Sequence, residues 1–206
     1  MKKSNQEIFW EGKFGDDYIS RNNSDFLFAP NLNLFSEITR RMSVKPKQWV
    51  EYGANVGNNL KAIKAICPEC KTIGVEINEK ASEILRKYDF CDQVINKSMF
   101  NINTQDLKSD VSMTKGVLIH ISPELLSDAY RILYESSNKY ILLVEYYNPS
   151  PVEVEYRGHK EKMYKRDFAS ELIEQYQDLY LIDYGFKYHK DPVFPQDDLT
   201  WFLISK

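Results

Sequence analysis

Short apolar segments alternate with stretches of helical periodicity along most of this chain, and the alternation limits the folds open to it. Five apolar segments are typical of strands, at residues 48–52, 72–77, 93–95, 110–113 and 140–146. Apolar residues recur at helical spacing in five other stretches, 31–42, 58–66, 79–88, 123–136 and 167–177. Strands and helices in this order predict a parallel sheet covered by helices on both faces.

The C-terminal part departs from this alternation. Two more strand segments, 179–188 and 198–204, are joined by a loop that holds Pro192 and Pro195, with no helix between them. Such neighbours pair as an antiparallel hairpin at a sheet edge. The sequence therefore predicts an α/β fold with a seven-stranded Rossmann-like sheet, helices on both faces and an antiparallel edge hairpin. Residues 1–30 are predicted to be irregular, and residues 148–162 show no clear period.

The loop after the first strand points to a ligand, because open α/β sheets bind ligands beyond the carboxyl ends of their strands. Gly53 permits a sharp turn, and Asn55 tolerates a left-handed backbone better than most residues. Gly57 allows the following helix to approach a ligand without a Cβ. Nineteen residues later Glu76 ends the second strand, where an acidic side chain accepts hydrogen bonds from ribose hydroxyls. This combination predicts an adenosine-containing ligand.

The glycine spacing discriminates between adenosine ligands. The nicotinamide fingerprint G-x-G-x-x-G, counted from Gly53, requires glycines where Asn55 and Asn58 stand, which disfavours an oxidoreductase. The segment Glu51-x-Gly53-x-Asn55-x-Gly57 is instead similar to the first motif of class I S-adenosylmethionine methyltransferases, with Asn55 in place of the middle glycine.

A closer resemblance extends over essentially the whole chain. It is carried by four groups of residues: Phe9-Trp10-x-Gly12-x-Phe14-Gly15-x-x-Tyr18-x-x-Arg21-Asn22, Glu51-Tyr52-Gly53-Ala54-Asn55, Lys115-Gly116-Val117-Leu118-Ile119-His120-Ile121, and Glu145-Tyr146-Tyr147-Asn148-Pro149 with Tyr156-Arg157-Gly158-His159 and Lys165-Arg166-Asp167-Phe168. These motifs resemble the pseudaminic acid biosynthesis-associated methylases. The resemblance implies a class I methyltransferase fold, S-adenosylmethionine as cofactor and a role near nonulosonic-acid sugar pathways.

The aromatic N-terminal segment, residues 1–30, precedes the methyltransferase domain that we expect over residues 31–206. Phe9, Trp10, Phe14 and Tyr18 either fasten the terminus to the core or form a lid that excludes water from the cofactor. We favour the lid, in which Arg21 would pair with the methionine carboxylate. With the resemblance, the expected cofactor-binding residues are Trp10, Tyr18, Arg21, Glu51, Gly53, Asn55, Gly57, Asn58, Asn59, Glu76, Ile77, Ser98, Met99 and Thr114.

A general base assists methyl transfer when the acceptor is a hydroxyl or an ammonium group. The candidate catalytic residues are His120, His159 and Tyr147. His120 follows the fourth strand and is either a base or orienting group, or a hydrogen-bonded structural imidazole. His159 has a substrate role or lies on the surface. No residues have metal-ligand spacing, so no metal is expected, and no serine occupies a hydrolase nucleophile elbow.

A basic run lies within a segment at residues 148–167 that we assign to the substrate. Residues 156–166 hold five Lys or Arg and one Glu, a local charge of +4. Arginine forks bind carboxylates or phosphates in a bidentate manner, although many charge runs are merely solvated faces. The predicted substrate-binding residues are Tyr146, Tyr156, Arg157, Lys165 and Arg166.

Composition excludes several classes of function. The net charge of −3 disfavours a general nucleic-acid binder. The longest apolar runs fall far short of the roughly 18 residues of a membrane span, and the first residues lack the apolar stretch of a secretory signal. Cys67, Cys70 and Cys91 are then expected to be reduced thiols in a cytoplasmic protein. The oligomeric state is not predicted.

These observations favour an S-adenosylmethionine-dependent methyltransferase acting on an oxygen or nitrogen of a small anionic sugar or sugar nucleotide. Three alternatives stay open at this point. The first is a methyltransferase that acts on another small metabolite or on a protein side chain. The second is a catalytically silent module that binds the nucleoside cofactor. The third is a nicotinamide oxidoreductase, which the missing glycines disfavour.

Overall fold

A computed structural model describes residues 3–22 and 25–206, with the side chains of residues 21, 22 and 25 left aside. The helices are α1 (Asn5–Glu11), α2 (Lys13–Asn22), α3 (Phe28–Thr39), α4 (Asn58–Ile66), α5 (Glu79–Leu85), α6 (Leu126–Ser136) and α7 (Phe168–Gln175). The strands are β1 (Gln48–Tyr52), β2 (Lys71–Glu76), β3 (Gln93–Asn96), β4 (Ser109–Lys115), β5 (Ser137–Glu145), β6 (Val152–Tyr156), β7 (His159–Lys165), β8 (Tyr180–Lys187) and β9 (Leu199–Ser205). Short 3-10 turns span Asp25–Leu27, Met99–Asn101, Thr104–Leu107, Leu118–His120 and Pro123–Leu125.

Seven of these strands form a mixed sheet in the order β3-β2-β1-β4-β5-β9-β8. β1, β2 and β3 pair in parallel, as do β4 and β5. β9 is antiparallel to both β5 and β8. The expected α/β fold with seven strands and an antiparallel edge hairpin is therefore confirmed. None of the described helices has the length and apolarity needed to cross a membrane.

The chain divides into two compact units, residues 1–103 and 104–206. Trp49, Tyr52 and Phe35 are among the largest fully buried side chains of the first unit, and Trp201 and Phe168 among those of the second. The boundary between a lid at residues 1–30 and a domain at 31–206 stays a prediction.

The described part of residues 1–30 is mostly helical, and the prediction of an irregular chain there is wrong. α1 begins with a capping box, in which the Ser4 side chain accepts from the Glu7 N–H while the Glu7 carboxylate accepts from the Ser4 N–H. These bonds satisfy donors that a helix start leaves open. The Gly12 N–H donates to the Ile8 carbonyl where α1 ends. Two short helices therefore replace the expected irregular chain.

The segment without a clear period, residues 148–162, contains most of a separate antiparallel ribbon formed by β6 and β7. Its turn has positive φ at both Arg157 and Gly158, the combination that closes a two-residue hairpin with the correct twist. The ribbon buries little apart from Met163. Because both faces carry polar residues, the sequence lacks the apolar-polar alternation that marks a half-buried strand.

Candidate functional site

In the first unit, each of the five backbone N–H groups of the loop at residues 53–57 donates to an acceptor within that unit. Gly53 and Ala54 donate to the Val75 carbonyl at 2.8 and 3.1 Å, and Gly57 donates to the Ala54 carbonyl at 2.9 Å. The Asn55 N–H donates to the Glu76 carboxylate, and the Val56 N–H to the Asn55 side-chain oxygen, both at 2.7 Å. Positive φ at Gly53, Asn55 and Gly57 makes this folding possible.

Glu76 occupies the position predicted for a ribose-binding acid. It is the last residue of β2, and its buried carboxylate accepts the Asn55 N–H on one oxygen and the Asn78 N–H on the other, each at 2.7 Å. Burial raises the pKa of this carboxyl, and the hydrogen bonds from the backbone of Asn78, Asn55 and Ile77 act in the opposite direction. The carboxylate thus joins the loop after β1 to the loop after β2.

Glu51, also predicted to bind the cofactor, is fully buried in β1. Its carboxylate accepts a hydrogen bond from the Asn59 side-chain amide at 2.6 Å, which connects the strand to the first turn of α4. The structure therefore brings Glu51 and Asn59 together. Asn58 begins the same helix.

Gly57 has a different local role from the one predicted. A Cβ added there would lie 2.3 Å from Leu85 Cδ1 and 2.8 Å from Phe90 Cε2, so the space belongs to core side chains and not to a ligand. The glycine also has φ of +85°. The predicted reason for Gly57, a close approach to a ligand, is corrected to a close approach to the core.

We expect Gly57→Ala to destabilise the protein more than Gly116→Ala. Both glycines have positive φ, which costs a non-glycine residue about 1–3 kcal/mol, but a Cβ at Gly116 meets nothing within 4 Å. The crowding at Gly57 adds about 1–3 kcal/mol. Chemical denaturation of the two variants measures the difference, and equal losses would show that Leu85 and Phe90 yield without cost.

The two N-terminal helices are fastened to the loops that follow the parallel strands of the first unit. The Asn78 side-chain amide donates to the Asp16 carboxylate at 3.0 Å and to the Trp10 carbonyl at 3.3 Å. Lys80 pairs with Asp16 at 2.6 Å. The Ser98 side chain, just beyond β3, hydrogen-bonds the Glu7 carboxylate. Burial raises the pKa of this carboxyl, but the hydrogen bonds from Ser98 and Ser4 and the charge of Lys3 together hold it below its usual value. These contacts hold α1 and α2 at the carboxyl-end side of β2 and β3.

Aromatic packing gives the helix pair its own small core. The ring centroid of Trp10 lies 5.3 Å from that of Phe14 and 5.2 Å from that of Tyr18, both edge-on, and Phe9 stacks on Phe14 at 4.0 Å. Gly15 allows this packing, because a Cβ there would lie 1.9 Å from the Trp10 carbonyl oxygen. These contacts agree with a terminus fastened to the first unit, and the lid over the cofactor stays a prediction.

Most of the predicted cofactor residues lie in the first unit, along the loops described above. Ile77 contributes a backbone hydrogen bond to Glu76, and Ser98 and the buried Met99 follow β3. Arg21 falls outside the described side chains. Thr114 belongs to the second unit, where its buried side chain lowers the pKa of Glu145. Asn78 and Asp16 are missed by the sequence reasoning, although Asn78 at the N-cap of α5 is a local signal.

In the second unit, Glu145 is a buried acid that the sequence reasoning did not single out as a site residue. It ends β5, and its carboxylate accepts the N–H groups of Val117, Leu118 and Ile119 at 3.1, 3.2 and 3.5 Å. Burial raises the pKa of Glu145 to about 7, against the lowering effect of these hydrogen bonds and of Thr114. The sequence signal available for Glu145 was a charged residue at the end of an apolar strand segment.

His120 lies in the turn that Glu145 holds, and it is buried. Its Nδ1 is 2.6 Å from the Lys162 carbonyl oxygen in β7, and its ring lies 4.8 Å from that of Tyr156. A carbonyl only accepts, so Nδ1 carries the proton and Nε2 the lone pair in the neutral ring. Burial lowers the pKa of His120 to about 4, despite the opposing hydrogen bond to Lys162. His120 is therefore neutral at physiological pH, which makes it a weak base and a good hydrogen-bond acceptor.

The other predicted catalytic and substrate-binding residues of this unit are more exposed than His120. His159 starts β7 on the ribbon surface, opposite Tyr156. Tyr147 is exposed and forms a β-bridge with Arg166. Lys165 Nζ lies 4.9 Å from the centroid of the Tyr146 ring, and the Arg157 guanidinium lies 5.6 Å from the centroid of the Tyr156 ring. Two cation–aromatic pairs therefore form among the predicted substrate residues.

The basic run is less positive in the folded ribbon than in the sequence. β6 brings Glu153 and Glu155 beside β7, and Glu153 accepts the Glu161 N–H at 2.7 Å. Arg166 pairs with Glu171 at 2.8 Å, and Glu171 also accepts from the Tyr130 hydroxyl. The local charge of +4 predicted from the sequence is therefore too high for the folded ribbon. Strand pairing adds two acidic residues, and an ion pair within the protein occupies Arg166 Nε.

The cysteines show no arrangement for redox or metal chemistry. Cys67 directly follows α4, and Cys67, Cys70 and Cys91 are buried and form no disulfide. Burial raises the pKa of the Cys67 thiol, which disfavours the reactive thiolate. Across residues 3–22 and 25–206, no three His, Cys, Asp or Glu side chains are grouped to hold a metal ion.

Solved structures similar to this chain are methyltransferases. The plantazolicin methyltransferase BpumL in complex with SAH has a TM-score of 0.67 at 14% identity, with 98% of this chain and 93% of that chain covered. Magnesium protoporphyrin IX methyltransferase from Synechocystis PCC 6803 with bound SAH has a TM-score of 0.70 at 11% identity, with 97% of each chain covered. A SAM-dependent methyltransferase from Leishmania major reaches 0.73 at 12% identity, with 99% and 87% covered.

Neither a family model nor a curated protein matches the chain. At such low identities the structural likeness establishes the fold, and this chain has the class I methyltransferase fold. The narrower resemblance to pseudaminic acid biosynthesis-associated methylases is not supported by these comparisons.

Proposed function

We propose that this chain transfers the methyl group of S-adenosylmethionine to an oxygen or nitrogen of a small anionic sugar or sugar nucleotide. The observation that carries the proposal is the Glu76 carboxylate at the carboxyl end of β2, which accepts the Asn55 and Asn78 N–H groups on separate oxygens at 2.7 Å and the Ile77 N–H as a third donor. Each carboxylate oxygen has two acceptor positions. With three of these four positions taken by backbone N–H groups, Glu76 retains capacity for one ribose hydroxyl of the cofactor.

The internal hydrogen bonding of the loop at residues 53–57 favours S-adenosylmethionine over a dinucleotide. A pyrophosphate group is bound by backbone N–H groups of the glycine loop and by the helix that follows. Here the five loop N–H groups already have acceptors within the first unit. S-adenosylmethionine has no phosphate and does not require them.

The N-terminal helices support a cover for the methionine part of the cofactor. Asn78 and Ser98 attach α1 and α2 to the loops after β2 and β3, on the side of the strands where ligands bind in this class of fold. In this proposal Trp10 and Tyr18 exclude water from the sulfonium, and Arg21 pairs with the methionine carboxylate.

The acceptor class is supported by the ribbon of the second unit. Lys165 beside Tyr146 and Arg157 beside Tyr156 each combine a cation with an aromatic face, a pairing suited to a sugar ring that carries a carboxylate or phosphate. Arg166 would position the ribbon through Glu171 and contribute its terminal nitrogens. A role near nonulosonic-acid pathways rests on the sequence resemblance.

The chemistry is an in-line displacement. A lone pair on the acceptor bonds to the methyl carbon, the carbon–sulfur bond breaks, and its electrons remain on sulfur as S-adenosylhomocysteine forms. The sulfonium is an excellent leaving group, so positioning supplies much of the rate enhancement. His120 Nε2 would accept the hydrogen bond of the reacting group, and His159 or Tyr147 would complete proton release to solvent.

Isothermal calorimetry tests the cofactor assignment. We expect S-adenosylmethionine and S-adenosylhomocysteine to bind with one site per chain, and NADH to show no heat of binding. The reverse preference would contradict the assignment, whatever the acceptor.

Turnover of radiolabelled S-adenosylmethionine then separates an enzyme from a silent binding module. Acceptors are tested in matched pairs, an anionic sugar and its neutral counterpart. Label transferred mainly to the anionic sugar supports the proposed acceptor class, and equal transfer to both sugars contradicts it. Binding of the cofactor without transfer to any sugar, metabolite or peptide would favour the silent module.

A further inference from the structure

A histidine and an aspartate face each other across the loop at residues 188–198, which joins β8 to β9 in the second unit. The His189 Nδ1 lies 2.8 Å from the Asp198 carboxylate, and the His189 backbone N–H donates to the same carboxylate at 3.0 Å. These hydrogen bonds, that of the side chain first, hold the pKa of Asp198 below its usual value. Asp198 is therefore a carboxylate at neutral pH.

The carboxylate sets the orientation and the tautomer of the neutral imidazole. A carboxylate only accepts, so the proton of the His189 ring is on Nδ1 and the lone pair is on Nε2, at the far side of the ring. The Tyr188 ring packs edge-on against this imidazole, with the centroids 4.7 Å apart. The side chains of His189 and Asp198 are 48% and 46% exposed, so a substrate can reach them. An oriented, accessible neutral imidazole is suited to general base catalysis.

The loop lies at the edge of the sheet where open α/β folds bind their ligands. Glu145, the last residue of β5, pairs with Thr200 near the start of β9. Because β9 is antiparallel to β5, the loop that precedes β9 lies beside the carboxyl end of β5. Ligands bind beyond the carboxyl ends of the parallel strands. The sheet therefore places His189 on the side of the fold where a methyl acceptor approaches.

The strand β7 relates this loop to the residues already described in the second unit. The positive charge of Lys165, a predicted substrate-binding residue, contributes to lowering the pKa of Asp198, so the two side chains lie near each other. Three residues earlier in the same strand, the Lys162 carbonyl oxygen lies 2.6 Å from His120 Nδ1. One strand therefore contacts His120 and neighbours the pair formed by His189 and Asp198.

We propose that His189 is the general base of the methyl transfer proposed above, on which this inference rests, and that Asp198 is its positioning residue. As the acceptor atom bonds to the methyl carbon, its O–H or N–H proton moves to His189 Nε2, and the electrons of that bond stay on the acceptor atom. The carbon–sulfur electrons remain on sulfur. The imidazolium, stabilised by the Asp198 carboxylate, then releases the proton to water.

This assignment gives proton removal to a group that can retain the proton. Burial lowers the pKa of His120 to about 4, so at neutral pH His120 is too weak a base to hold the acceptor's proton and serves to orient the acceptor. His189 takes the role in proton release given above to His159 or Tyr147.

The variant His189→Asn separates a base from a contact that only closes the loop. The Asn amide can donate to Asp198 in place of Nδ1, but nothing replaces Nε2. With S-adenosylmethionine and N-acetylneuraminic acid, an acidic sugar of the proposed class, we expect kcat to fall by about 10²–10⁴-fold and KM to change little. The variant should lose the decline of kcat toward acid pH, and imidazole added to His189→Gly should restore turnover.

Asp198→Asn should also lower kcat, because a neutral amide no longer stabilises the imidazolium. Asp197→Asn is the matched control, since Asp197 is the exposed acid beside it, and should leave kcat unchanged. If the unchanged protein transfers label and His189→Asn keeps its kcat and pH profile, this inference is wrong and the proposed function stands. If the unchanged protein binds S-adenosylmethionine and transfers no label, both are wrong.

Discussion

Replacing Glu76 with Gln weakens S-adenosylhomocysteine binding by about 10- to 150-fold, because about 1.5–3 kcal/mol is typical for hydrogen bonds to a charged group. Gln retains the shape of the side chain but only one acceptor oxygen, so one of the two backbone N–H groups, that of Asn55 or that of Asn78, loses its acceptor. Calorimetry measures the affinity. Glu79→Gln is the matched control, since Glu79 is an exposed acid in the first turn of α5.

A second ligand distinguishes loss of the ribose contact from a general loosening of the loops. A 2′-deoxy analogue of S-adenosylhomocysteine should bind the unchanged protein more weakly than the natural ligand, and should lose little further affinity in Glu76→Gln. This double cycle isolates the pairwise contact. If the variant weakens both ligands equally, Glu76 acts only on the loops, and the ribose lies elsewhere.

The first unit illustrates how much of this site is predictable from the sequence. β1 and α4 begin and end at the predicted residues, because a buried apolar strand, a glycine turn and a periodic helix follow one another within a short span. Glu76 is found from its distance along the chain to that turn. These features are local, so neighbouring residues suffice to specify them.

The contacts of Asn78 and Asp16 are not local. The two residues are 62 positions apart in sequence, and no pattern near either one indicates the other. The helices that bring them together were predicted to be irregular, although the capping pattern from Ser4 to Glu7 was visible. Gly12 and Gly15 obscured the short helices, since glycine in a helix interior is normally unfavourable.

Glu145 and His120 show the same division in the second unit. Each was visible as a polar residue ending an apolar run, and His120 was singled out. Its acceptor, the Lys162 carbonyl, lies 42 residues away in the ribbon, whose strands the sequence did not reveal. Burial, which determines the protonation state of both side chains, becomes apparent only once those distant segments are folded.

Those protonation states lead to opposing pH dependences of stability. Glu145 has a pKa of about 7 in the folded protein against 4.5 as reference, so the unfolded chain loses this proton first as pH rises. Its contribution to stability therefore falls from pH 4.5 to 7. His120 has a pKa of about 4 against 6.5, so the unfolded chain gains this proton first as pH falls. Its contribution therefore falls from pH 6.5 to 4.

The two contributions cancel over much of the interval that they share. At about 1.4 kcal/mol for each pKa unit, each residue accounts for about 3 kcal/mol across its own window. Relative to the unchanged protein, Glu145→Gln should gain about 3 kcal/mol of stability between pH 4.5 and 7. His120→Asn, which keeps a donor for the Lys162 carbonyl, should lose about 3 kcal/mol between pH 4 and 6.5.

Urea denaturation at a series of pH values measures these slopes, and differences from the unchanged protein remove the contributions of all other groups. Glu124→Gln and His159→Asn make the same substitutions at exposed residues of the same unit and serve as the matched controls. The double variant should return to the slope of the unchanged protein, because removing two opposite contributions leaves none. If both single variants change the slope of stability against pH in the same direction, Glu145 or His120 is charged in the folded state. A charged His120 would act as a proton donor instead of an acceptor.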